Sequence, residues 1–490
     1  MPNTIAQNLA RLTAARTAIA NAITAQGGTV NTGDGFEEFP TDIATIGVSK
    51  PHKDVNFYDY DGTVVHSYTA EEFAELTELP DNPTHTGLTA QGWNWTLANA
   101  KLYVSKYGKL NIGQMYITSD GKTRLYIHLT KGRTTPNFQL YLNANSELDI
   151  DWGDGTAHST FTTTSADFVN ETHAYPATDG DYVITVTVVS GSFELKSSST
   201  NISSILWNRN GNAYSLDRAY TNSIQKIEIG SGITSIGSSA FRACFSLTNI
   251  VIPNGVTSIG SSAFRTCYSL ANIVIPNGVT SIGTDAFYDC FSLANIVIPN
   301  GVTSIGTDTF RGCYSLANIV IPNGVTSIET DAFYNCCSLT NIVIPNGVTS
   351  IGSSAFRACY SLANIVIPNG VTSIGTDAFY NCAYMDYIQF KSTTPPTVSS
   401  SDAFSGVSAT TLIIVPVNCL QAYTTATNYP NSAAYTYLIF GTYNSGETLP
   451  TTSTDGYNLT WYATMENAKN QTNPITQGNG SEVYARGVSV

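Results

Sequence analysis

The sequence predicts a multidomain, β-rich protein built around a repeat solenoid. Two observations carry this: a 23-residue period through the centre of the chain, and short strand-like segments with Gly, Asn and Asp turns on both sides of it. A third bounds the class. Of 490 residues only 12% are charged, while Ser, Thr, Asn, Gly and Tyr are abundant, which fits an outer-surface protein better than a cytosolic enzyme. The length asks for several cores. The net charge of −14 argues against nucleic acid or an anionic membrane as the main partner, since both need clustered Lys and Arg.

The repeat is read from its fixed positions. Cys244, Cys267, Cys290, Cys313, Cys336, Cys359 and Cys382 recur every 23 residues, and Phe241 to Phe379 and Ile250 to Ile365 keep the same step. One unit places Leu247, Ile250, Ile252, Val256 and Ile259 before Ala263, Phe264 and Cys267. No unit can bury these side chains alone, so the units must stack. The pattern resembles the BspA-like leucine-rich repeats. That resemblance implies a solenoid over 192–440 with caps, its regular repeats at about 227–387.

Two outward strips are candidate partner-binding surfaces. Ile250 and Ile252 point inward, so Val251 points out, as do Val274, Val297 and Val320. Such a ladder either binds a partner or merely favours β structure. The second strip reads Arg242, Arg265, Tyr288, Arg311, Tyr334, Arg357 and Tyr380, with Tyr268, Tyr314 and Tyr360 just after the Cys position. Arg and Tyr are preferred in binding hot spots and support each other by cation–π contact, or they vary here as solvated filler. The Cys ladder, one residue per rung, offers no tetrahedral metal cluster. Buried free thiols are the default reading, although neighbouring rungs approach disulfide range. Cys337 breaks the pattern and is expected to be exposed.

Outside the repeat, residues 1–47 form an N-terminal segment. Ile5, Leu9, Leu12, Arg16, Ile19 and Ile23 are spaced as a coiled-coil seam, which serves either docking on a neighbour or self-association into a dimer or trimer. The stretch from Ile5 through Gly27-Gly28 to Phe36-Glu37-Glu38-Phe39-Pro40 resembles N-termini of phage tail-fibre-like proteins, which implies attachment to other particle proteins. Residues 51–119 read as a small α+β module: strands Val55–Tyr58 and Thr63–Tyr68 about Asp61-Gly62, a capping box at Thr69–Glu72, and a helix over Leu97–Tyr107. Residues 120–191 carry Asp151-Trp152-Gly153-Asp154-Gly155-Thr156, His173-Ala174-Tyr175 and Gly180-Asp181-Tyr182. These motifs resemble a PKD domain, which implies an immunoglobulin-like β-sandwich. Residues 192–226 are expected to cap the solenoid. Residues 441–490, with Gly456–Tyr462 and Glu482–Arg486, resemble a Listeria–Bacteroides repeat, which implies a small β module.

Catalysis is not expected. Asp59-Tyr60-Asp61-Gly62-Thr63 matches the nucleophile signature of haloacid-dehalogenase-like phosphatases, but no downstream Mg²⁺-binding carboxylate pair follows in so short a module. Asp149, Asp151 and Asp154 are expected to split between strand faces, and the six His are scattered without paired spacing. No cofactor and no metal is expected. No segment is long and apolar enough to insert into a bilayer, and no export or anchoring signal is read. The expectation is therefore a phage or phage-like particle fibre, located in the virion, that binds a host surface glycan or protein. The alternatives are a BspA-like adhesin on the bacterial surface and a purely structural particle protein.

Overall fold

A computed structural model of the protein describes residues 54–61, 63–107, 110–131, 134–196, 205–207, 223–430, 435–478 and 481–489. The expected helix with Ile5, Leu9, Leu12, Ile19 and Ile23 lies outside the described residues.

The first module follows its sequence signals closely. Strands β1 (Val55–Tyr58) and β2 (Val64–Tyr68) form the hairpin, and Thr69 and Glu72 close a reciprocal capping box on helix α1 (Ala70–Ala74). Strand β3 (Leu88–Trp93), helix α2 (Leu97–Tyr107) and strand β4 (Leu110–Thr118) complete it, with sheet order β2-β1-β4-β3. Phe57, Phe73, Trp93 and Trp95 fill its core, and Trp93 meets Phe57 edge-on at 4.8 Å.

The next unit is a two-layer β-sandwich. One layer holds β5 (Thr123–Leu129), β7 (Ser146–Asp151), β8 (Ser159–Thr163) and β10 (Gly180–Ser190). The other centres on β6 (Asn137–Leu142), paired with β9 (Asp167–Thr172), β11 (Phe193–Glu194) and β12 (Leu206–Trp207). Trp152 is buried between them, stacked on His173 at 4.5 Å, and its carbonyl accepts the Tyr175 hydroxyl at 3.1 Å. Gly153 has φ +77°, and a Cβ there would lie 2.6 Å from the Val183 carbonyl oxygen, so only Gly fits.

The Asp154 side chain is 1% exposed. It accepts Thr156 N–H and Oγ1 and sits 2.9 Å from His173 Nε2. Burial alone would raise its pKa, but the hydrogen bonds from Thr156 and His173 outweigh that and hold it below the ordinary carboxylate range. A carboxyl depressed in the folded state stabilises above its unfolded pKa of about 3.9, and that contribution is lost as pH falls through the lower folded value. Acid melts should therefore show the sandwich weakening below about pH 4. Asp154→Asn should remove that dependence and cost about 1–3 kcal/mol at neutral pH, because its partners lose a charged acceptor.

In the solenoid each unit contributes three sides. One side is the strand series Asn249–Val251, Asn272–Val274, Asn295–Val297, Asn318–Val320, Asn341–Ile342 and Asn364–Ile367, parallel and paired with residues 23 apart in register from Asn272–Val274 onward. A second is a series of two-residue strands from Ser235–Ile236 to Ser373–Ile374. The third is a turn side, where Phe241 to Phe379 stack at 5.4 to 5.5 Å and are fully buried. Each turn side carries two left-handed residues, for example Asp285 (φ 61°) and Asp289 (φ 56°). Asp and Asn tolerate that conformation better than most residues, which accounts for their recurrence there.

The ends are closed by β structure that continues the stack. Strand β13 (Ile224–Glu228) pairs antiparallel with β5 of the sandwich and parallel with rung Asn249–Val251. Of the expected cap at 192–226, residues 197–204 and 208–222 lie outside the described residues. Within it, Leu195 bridges to Ile236 and Ile205 N–H donates to the Ala240 carbonyl, so the sandwich itself covers the first rung. At the other end the rungs Tyr387–Phe390, Leu412–Pro416 and Thr436–Thr442 run parallel, and Glu482–Ser489 then pairs antiparallel on the last. One hydrophobic core runs without a break from Leu125 in the sandwich to Ala485 in the C-terminal module.

Candidate functional site: the two outward faces of the solenoid

The strand face is partly closed by the chain itself. Strand β4 lies across the rungs containing Val251, Val274 and Val297. Val251 is 2% exposed, and Val297 at 7% joins the module core with Leu110 and Ile112, with Val320 packed beside it. Gly113 makes the approach possible, because a Cβ there would come 2.8 Å from both Val274 methyl groups. Gln91 Oε1 accepts Asn254 N–H at 2.9 Å at the edge of this contact. The expectation of an open binding ladder at Val251, Val274, Val297 and Val320 is therefore corrected. An unpartnered apolar strip is a favourable place to bury another apolar sheet, and the first module takes it. Val343, at 37% exposure, is what remains open farther along.

The turn face is organised as two parallel ladders. Arg265, Tyr288, Arg311, Tyr334, Arg357 and Tyr380 alternate, with guanidinium carbons 4.1 Å (Arg265–Tyr288), 4.5 Å (Arg311–Tyr334) and 4.6 Å (Arg357–Tyr380) from the ring centres. Carboxylates three or twenty residues away complete the ladder. Arg265 meets Asp285 at 2.6 Å, Arg311 meets Asp308 and Asp331 at 3.1 and 3.2 Å, and Arg357 pairs with Asp377. Arg242 is half-buried at the N-terminal end, and burial followed by repulsion from Arg265 lowers its pKa. Arg311→Ala should then cost roughly 1–2 kcal/mol, combining a cation–π contact and partly screened ion pairs. A urea titration that moved by less than a few tenths of a kcal/mol would leave Arg311 as filler.

Beside it Phe245, Tyr268, Phe291 and Tyr314 stack at 4.6, 4.5 and 4.9 Å. Phe245, Tyr268 and Phe291 are half-buried, whereas Tyr314 and Tyr360 are 42% and 41% exposed.

Beneath both ladders run the thiols. Sγ of Cys267, Cys290, Cys313, Cys336, Cys359 and Cys382 donates to the Phe carbonyl 26 residues earlier at 3.0 to 3.2 Å. Burial pushes these six thiols well up. Cys337, expected to be exposed, is half-buried.

The remaining titratable residues form local pairs. Asp59 is buried, 2.7 Å from His85 Nε2, and accepts Tyr60 N–H, while Asp61 accepts Thr63 N–H in the hairpin turn. Asp149 and Asp151 share a face and both reach His158, at 3.0 and 3.6 Å, contrary to the expected split; only Asp154 turns elsewhere. His128 likewise meets Asp181 at 2.7 Å. These His–Asp pairs escaped sequence reasoning because their partners lie seven to 53 residues apart. Among the described residues no group of three His, Cys, Asp or Glu could hold a metal ion, and no helix is long and apolar enough to cross a membrane.

This geometry defines a capped β-solenoid of parallel leucine-rich rungs. Comparison with family models places residues 216–336 and 280–411 in the BspA type leucine rich repeat region, so the solenoid is a BspA-type leucine-rich repeat unit. Among solved structures, a leucine-rich repeat protein from Bacteroides ovatus is 25% identical over 45% of this chain and 64% of its own, with a TM-score of 0.35. The T. pallidum leucine rich repeat protein is 38% identical over 24% of this chain and 57% of its own, with a TM-score of 0.24. A leucine rich cell surface protein from Faecalibacterium prausnitzii is 26% identical over 45% of this chain and 82% of its own, with a TM-score of 0.30. The chain thus spans less than two thirds of the first two relatives. No curated protein matches it.

Proposed function

We propose that the protein is a binding scaffold that acts without catalysis, a BspA-type adhesin of the bacterial surface whose contact surface is the turn face of the solenoid. One observation carries this reading. The strand face is largely occupied by the chain's own first module, while the Arg/Tyr and aromatic ladders stay half-exposed along the stack. The family match to BspA-type repeats supports it. In this reading the sandwich, PKD-like by its motifs, and the C-terminal module are spacers that close the solenoid, and the partner is a host or neighbour-cell glycan or protein. Planar guanidinium and aromatic groups at fixed spacing suit such ligands.

The second reading, a fibre of a phage or phage-like particle, rests on the resemblance of residues 1–47 to tail-fibre N-termini, with those residues attaching it to other particle proteins as a dimer or trimer. Immunogold labelling separates the two: label on intact cells supports the adhesin, and label confined to purified particles overturns it. For the contact surface, Tyr314→Ser and Tyr360→Ser, the two rings about two-fifths exposed, together should abolish adhesion of the purified full chain to its target cells, with the chain still folded by circular dichroism and its melting temperature lowered by only about 1–3 °C. Undiminished adhesion would remove the turn face as the site.

A further inference from the structure

The outer aromatic ladder is regular until one rung. Phe245, Tyr268, Phe291 and Tyr314 lie face to face at 4.5 to 4.9 Å. The next position is Cys337, and the one after it is Tyr360. Among the described residues the stack stops at Tyr314, and both Tyr314 and Tyr360 are about twofifths exposed. Tyr314 and Tyr360 stand two rungs apart, so at the ladder's own step of 4.5 to 4.9 Å ring positions there are separated by roughly 9–10 Å. That is room for one ring at the separation the ladder uses elsewhere.

We propose that this gap is a binding slot for a single planar aromatic side chain of a partner protein, which enters between Tyr314 and Tyr360 over Cys337 and completes the stack. The observations favour an aromatic occupant over an aliphatic one. A stacked ring, Tyr314, ends the ladder on one side and an exposed Tyr360 stands two rungs on, and offset face-to-face rings attract beyond their buried area. The floor is a small, half-buried, polarisable sulfur, which suits contact with an aromatic ring. Phe at the equivalent positions 245 and 291 shows that this turn accommodates a full ring. The slot deepens the adhesin reading above and rests on it for the partner, though not for the slot itself.

Cys337 reports on occupancy, because the other eight cysteines are buried. Burial also pushes the Cys337 thiol up, so labelling belongs at alkaline pH. The experiment measures iodoacetamide labelling of Cys337 in the full chain by mass spectrometry, with N-acetyl-tryptophanamide or N-acetyl-leucinamide as probe. The tryptophan amide should slow labelling saturably, roughly threefold at twice its dissociation constant, while the leucine amide should leave it unchanged. Cys337→Phe should fill the slot, abolish saturation-transfer NMR signals from the tryptophan amide, and raise the melting temperature by roughly 1–3 °C. Equal protection by both amides, or an amide signal that survives Cys337→Phe, overturns the proposal. Labelling that slows with protein concentration alone and recovers in Tyr384→Ala, the ring 74% exposed on this chain, would overturn the partner-protein reading in favour of a second copy. Failure of these tests with cell adhesion intact sinks the slot alone, whereas lost adhesion with intact amide binding sinks only the adhesin reading.

Discussion

Phe310→Ala is expected to lower the free energy of unfolding by about 3–5 kcal/mol, the usual cost of emptying a fully buried aromatic site. Phe310 is 0% exposed, and its ring stacks on Phe287 and Phe333 at 5.5 Å on each side. Its N–H donates to the Ala332 carbonyl, and its carbonyl accepts the Cys336 thiol at 3.1 Å. The rung therefore has backbone, thiol and ring contacts in one place, and Ala leaves a cavity that neighbours cannot close without breaking register. In a linear stack each rung is held by the next, so a mid-stack defect weakens the coupling between halves. Urea titration should show a lower midpoint and a transition broadened or split in two. A cost below 1 kcal/mol would contradict the buried stack.

The second large effect concerns the strand face. Val297→Asp places a carboxylate against the core of Val55, Phe57, Leu110 and Ile112, where the charged residue lining the same cleft, Asp59, is itself a carboxylate. Burying it unpaired would cost several kcal/mol, about 3 or more, so the cheaper outcome is release of the first module from the solenoid. Small-angle scattering should then report a larger radius of gyration, while the β signature of the solenoid in circular dichroism persists. An unchanged radius with unchanged stability would mean that the module does not depend on this contact. Released, the chain would also display the strand ladder that the sequence suggested as a binding surface.

The elements legible in the sequence are those set by local or strictly periodic chemistry. The Phe, Ile and Cys ladders announce themselves because one side chain must occupy the same place in each rung, and the hairpin at Asp61, the box at Thr69 and the helix at Leu97 depend only on neighbours. What stayed hidden depends on contacts between distant segments. Val274 reads as outward whether water or Gly113 covers it, since alternation fixes a face and not its occupant. Arg311 and Asp331 lie twenty residues apart in successive repeats, so their pairing arises only when the rungs stack. The His–Asp pairs and the joining of β13 to β5 likewise arise only on folding. Of the candidate site, the composition of the turn face was legible, but its internal pairing and the missing ring at Cys337 become meaningful only once the rungs are stacked.

The unbroken core and the parallel-to-antiparallel closure at Glu482–Ser489 have a mechanical consequence. A load applied along the stack axis pulls neighbouring rungs apart along the direction of their hydrogen bonds, so the stack should yield one rung at a time. Each yielding rung would release 23 residues of slack, roughly 80 Å of extended chain. The solenoid would thus act as a series of breakable links of equal length, and a pulling experiment on the single molecule should show a regular sawtooth with that spacing.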